Sequence, residues 1–134
     1  TGTHSAVAIL NWEEKIKMPE KVKLNPIDLL TGGRAKLFVF SPDSQYVVVE
    51  MATPAGTDRV FVYQTEVRNK LNLNLEQDFP IEVYNINFTR WETNSQSILV
   101  RVTSGPDQTK VDQGKLGTWV IKIENGKREK VIGE

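Results

Sequence analysis

The stretch FSPDSQYVVVEM, Phe40 to Met51, decides how this chain is read. An aromatic comes first, then a polar turn, then a run of valines. Pro42 presets φ for the second position of a β-turn. Asp43 can accept a hydrogen bond from a backbone N–H two residues on, which holds such a turn closed. Val47, Val48 and Val49 suit a strand buried on both faces. Phe40, just before the turn, is expected to bury roughly 150–250 Å² beneath it.

The pattern occurs twice. At an offset of 51 residues the stretch lies over WETNSQSILVRV, Trp91 to Val102. Phe40 meets Trp91, Asp43 meets Asn94, and Ser44-Gln45 meets Ser95-Gln96. The three valines meet Ile98, Leu99 and Val100. Upstream, Ala35 and Leu37 meet Ile86 and Phe88 in the same register, and downstream Phe61 and Trp119 occupy comparable strands. A register match this long, with matching flanks, reads as a repeated unit: strand, aromatic, turn, apolar strand, loop, aromatic-bearing strand, weaker fourth strand. A few short strands cannot bury both faces alone, so such units stack on neighbours.

Working outward, the first copy gives strands over 37–40, 46–51, 59–65 and 71–75. The second gives 84–88, 97–103, 118–123 and 130–132. Pro, Gly, Asn and Ser clusters punctuate them, and Asn125-Gly126 is a strong hairpin signal. Before residue 35 the reading changes. Ile16, Met18, Val22 and Leu24 alternate with lysines around Pro19, which suits edge strands. Asn25-Pro26 reads as a helix start that Gly32-Gly33 ends, giving one short helix or turn near residues 26–31. The domain reading is therefore an N-terminal segment, 1–34, a first unit, 35–83, and a second, 84–134. The expected fold is all-β, with two antiparallel four-stranded units.

Composition narrows the function. The 134 residues are 39% hydrophobic, enough for a core, so disorder is not expected. Seventeen basic and seventeen acidic residues cancel, which argues against a nucleic-acid partner. The chain has no cysteine, so disulfides, thiolate metal sites and cysteine nucleophiles are excluded. No apolar run reaches the roughly 20 residues of a membrane-spanning helix.

Catalytic chemistry is not visible. His4 is the sole histidine, in a polar N-terminus, and any Ser-His-Asp triad would depend on it. Glu13 and Glu14 would point to opposite faces of a strand. The chain reads as a non-enzyme, with no cofactor. Asn87-Phe88-Thr89 fits a glycosylation sequon but falls inside an expected strand. The candidate binding site is the polar loop 103–117, longer than loops usually are without a purpose. Its charged residues are Asp107, Lys110, Asp112 and Lys115. Their mixed sign suits a protein surface better than phosphate, and the loop lacks the spacing of an EF-hand.

The residues FSPDSQYVVVEM…DRVFVYQ resemble the blade motif of TolB-type, WD-like β-propellers. The resemblance covers about 35–65 well and about 86–126 less well, because Glu92-Thr93-Asn94 stands in place of Ser-Pro-Asp. It implies blades, of which a closed propeller has four to eight. Two units leave three arrangements open: a segment of a longer chain, a ring closed by self-association, or a sandwich that echoes the motif. The resemblance also implies a non-catalytic protein-interaction module of a bacterial envelope protein, in the periplasm or outside the cell; a cytoplasmic setting is the alternative. Its partners would be another protein or the remaining blades. The rival reading is a propeller or accessory domain of a prolyl-oligopeptidase-like serine peptidase, with its catalytic domain outside this chain.

Overall fold

The computed structural model describes residues 33–132. The helix expected near 26–31 and the strands expected between Glu14 and Leu24 lie outside the described residues. Within them the fold is all-β. Strands β1 (Arg34–Phe40), β2 (Tyr46–Ala52) and β3 (Asp58–Gln64) form one antiparallel sheet in that order. Strands β4 (Tyr84–Trp91), β5 (Ser97–Ser104), β6 (Gly117–Lys122) and β7 (Arg128–Lys130) form a second. One four-residue helix, α1 (Leu75–Asp78), sits between the sheets in sequence. No helix among the described residues is long and apolar enough to cross a membrane.

The two quoted stretches fold alike and share their backbone turn bonds. Ser41 N donates to Tyr46 O and Ser44 N to Ser41 O. Fifty-one residues on, Glu92 N donates to Ser97 O and Ser95 N to Glu92 O. The carboxylate of Asp43 accepts from Gln45 N at 3.0 Å, and Asn94 Oδ1 accepts from Gln96 N at 2.9 Å. Ser44 and Ser95 both take left-handed backbone, with φ of 63° and 59°. The two first strands each carry one bulge, at Lys36 in β1 and at Thr89 in β4, two places apart when the turns are superposed. On either side the registers agree again: Phe40 pairs Val47 as Trp91 pairs Ile98, and Ala35 pairs Met51 as Ile86 pairs Val102.

The third strands match too, at an offset of 58. The extra seven residues lie in the connection 105–116, which replaces the short turn 53–57. Arg68 N donates to Gln64 O as Gly126 N donates to Lys122 O. Arg68 and Gly126 are both left-handed.

The fourth strands differ. The second sheet has β7, somewhat earlier than the expected 130–132. In the first sheet the expected strand 71–75 is absent, so that sheet has three strands, not four. Only a single bridge, Lys70 to Tyr63, stands where β7 begins in the second. The cause is tertiary. Arg128 donates to Leu73 O and Asn74 O at 3.0 Å each, and to the Asp78 carboxylate at 2.6 Å. Those carbonyls face the second unit's hairpin instead of the edge of β3. Leu71, Leu73 and Leu75 still point into the core, so their alternation reports burial without a ladder.

The sheets stack in one sense. A strand alternates its side chains between two faces. On the first sheet, Val47, Val49, Met51 and Tyr63 lie on one face, here the front, and Val48, Val60 and Val62 on the back. The main core joins that back to Ile86, Trp91, Ile98, Val100, Val102 and Ile121 of the second sheet. By the two offsets these residues are the counterparts of the first sheet's front. Front therefore packs on back. A two-fold sandwich would instead pack like on like.

Candidate functional site

The junction between the sheets is held by named polar contacts. Glu50, buried on the back of the first sheet, accepts Phe88 N at 2.6 Å and Asn87 Nδ2 at 3.3 Å. The bulge in β4 leaves Phe88 N available for this carboxylate, since it interrupts the ladder there. Asn87 Nδ2 also donates to Asp58 at 2.9 Å. Trp91 crosses the junction: its indole N–H donates to Val39 O at 2.9 Å and its ring stacks on Tyr46 at 6.3 Å. Asp43 N donates to Ser95 Oγ at 3.0 Å, tying the two turns together.

Trp91 and Phe40 share a place in their turns but not an environment. Trp91 is 8% exposed, as expected of the aromatic before the turn; Phe40 is 53% exposed, contrary to that expectation. The stacking explains the difference. Trp91 lies on a front face that is covered by the first sheet. Phe40 lies on the front of the first sheet, beside Val47, at β1, which is an edge strand among the described residues. Phe38, paired with Val49, shares that face and is 48% exposed. Two neighbouring phenylalanines on this strand form a small exposed apolar patch, the arrangement that invites a partner surface.

Three of the four candidate loop residues, Asp107, Asp112 and Lys115, make bonds that shape the loop itself. The connection 105–116 holds two single-turn 3-10 helices, Gln108–Lys110 and Gln113–Lys115. Asp107 caps the first by accepting Thr109 N at 3.0 Å and Thr109 Oγ1 at 2.6 Å, bonds that hold its carboxyl below the usual range. Asp112 caps the second, accepting Gly114 N at 2.9 Å, while its own N–H donates to the Tyr84 hydroxyl at 2.8 Å. Lys115 Nζ donates to Asp78 O at 2.7 Å, and Lys115 O accepts the Trp119 indole N–H. Lys110 is exposed at the tip. The four thus do not converge on one point. Among the described residues no group of three or more acidic or histidine side chains is placed to hold a metal.

A cavity of about 370 Å³ opens along the outer edge of β3, between Arg59, Phe61 and the arm 70–76. No local pattern of residues announces it, because it lies where Arg128 holds that arm away from β3. No family model matches the chain, and no curated protein or solved structure matches it either.

Proposed function

We propose that this chain is a non-catalytic protein-interaction module built from two copies of a blade-like unit, akin to those of TolB-type propellers. The observation that carries the reading is the front-to-back stacking of the two sheets on Trp91. A like-on-like sandwich closes on itself. A front-to-back stack leaves a front at one end and a back at the other, so it can be extended by a further sheet. The front of the first sheet is buried at its centre, where Val47, Val49, Met51 and Tyr63 are at most 3% exposed, and displays Phe38 and Phe40 at its β1 margin.

In this reading Phe40, with Phe38 beside it, is received by a partner's apolar surface as Trp91 is received inside the chain. The partner is a protein or further blades of a longer polypeptide. A cell-envelope setting belongs to the same proposal and rests on the family resemblance alone. The back end is less apolar, with Arg101 where the first sheet has Glu50 and Thr118 where it has Val60. Arg101 cannot accept an N–H as Glu50 accepts that of Phe88, so a head-to-tail copy would not repeat that contact, which favours a different partner over a second copy.

Photo-crosslinking in the native cells tests this. Benzoylphenylalanine in place of Phe40 is expected to give a discrete protein adduct, or an intramolecular crosslink to a further sheet. Adducts from position 110 and none from position 40 would move the binding surface to the 105–116 connection and contradict the proposal.

A further inference from the structure

We infer that the cavity beside β3 is a binding site for a small carboxylate that carries an apolar group. Its existence is a consequence of the fold. In the second sheet β7 lies along β6, whereas in the first the chain leaves β3 after Leu71, whose N–H is the last to donate to it, at 2.8 Å to Val62 O. The space left over, about 370 Å³, falls within the size range of small-ligand pockets. Phe61, Leu71 and Ile81 provide apolar wall, and Lys70 stands at the rim with its ammonium 5.4 Å from the Phe61 ring centre.

The charge that lines the cavity is under-used. The Arg59 side chain is only 5% exposed, yet its ion pair with Glu76 is long, at 3.5 Å, and its bond to Tyr84 O is 3.4 Å. Burial pushes the guanidinium down to about 10 against the smaller opposing pull of Glu76. Glu76 is itself largely exposed and spends both carboxylate oxygens on Ile81 N, at 3.0 and 2.9 Å. A buried guanidinium gains most from a carboxylate that meets it with two short parallel bonds. Neither of its present partners offers that. With Lys70, the wall carries two cations against one exposed anion, so an incoming carboxylate is favoured over a cation or a neutral group. The cavity lies along β3, at the edge of the first sheet opposite the β1 edge that carries Phe40, and its occupancy does not depend on what Phe40 binds.

The test uses phenylbutyrate and phenylbutanol, which differ in the carboxylate. Each is titrated into the whole chain while the methyl resonances of Leu71, Leu73 and Ile81 are followed. The acid is expected to bind about tenfold more tightly than the alcohol, the worth of one charge-assisted contact. Glu76→Gln keeps an acceptor for Ile81 N and removes the competing charge, so it is expected to tighten acid binding several-fold and leave the alcohol unchanged. Lys70→Gln, at an exposed position, is expected to weaken the acid. Equal affinity for acid and alcohol, no shift of these methyls, or a Glu76→Gln variant that binds the acid no better would each overturn the inference. None of these arms needs Arg59 to be altered, so loss of folding does not confuse the outcome.

Discussion

Ser44 and Ser95 sit in left-handed backbone, where a Cβ costs about 1–2 kcal/mol relative to glycine. Glycine recovers that cost but adds freedom to the unfolded chain worth about 0.5–1 kcal/mol. Ser44→Gly is therefore expected to stabilise by about 0.5 kcal/mol in urea unfolding. Ser95→Gly should fall short of that, because it removes the acceptor for Asp43 N, a bond worth about 1 kcal/mol. Equal gains at both sites would deny that the turns are tied together. A second residue-scale effect lies in the Lys36–Asp58 pair, 2.8 Å apart at the edge of the first sheet. Burial works to raise Asp58, but its bonds from Lys36 and Asn87 outweigh it and the carboxyl ends below its usual range. The same bond raises Lys36 above 10.5. The contribution of Asp58 is thus present above its unfolded value and lost as pH falls through the lower folded one. That of Lys36 is present below 10.5 and lost as pH rises beyond it. Lys36→Met is expected to cost at most about 1 kcal/mol at neutral pH, since the pair is partly solvated, with the difference shrinking as pH falls through the lowered Asp58 value.

At the scale of elements, the arm 70–78 shows how one hairpin sets the shape of another. Gly126 has φ of 74°, and a Cβ there would lie 2.5 Å from Leu73 O. Gly126→Ala is therefore expected to destabilise by at least about 2 kcal/mol in thermal or urea unfolding. A smaller loss would mean that the arm is not pressed against the second hairpin. This contact also marks the limit of what the sequence could say. The turns were legible because Asp43 and Asn94 act on backbone two residues away, and the strands because Val47 to Val49 and Ile98 to Val100 sit in unbroken apolar runs. The alternation of Leu71, Leu73 and Leu75 looks the same whether the backbone pairs with β3 or is held by Arg128, more than fifty residues on. The cavity beside Arg59 was hidden for the same reason. Within the loop 103–117 the capping by Asp107 and Asp112 was not legible either, because it leaves no mark beyond ordinary turn composition.

Across the whole molecule the governing fact is the sense of stacking. It places Trp91 against Val39 and Tyr46, while Phe40 stands exposed at the β1 margin of the first sheet. Sequence alone set the two aromatics as equals, because their turns are equal; their burial depends on which face meets a neighbour, and only three-dimensional order decides that. The most direct measurement is a nuclear Overhauser map of the methyl-labelled chain. Front-to-back stacking predicts cross-peaks from the Trp91 indole to the Tyr46 ring, and from Ile98 and Val100 methyls to those of Val48, Val60 and Val62. Cross-peaks from Leu99 or Val120 to those three valines, with none from Trp91 to Tyr46, would contradict it.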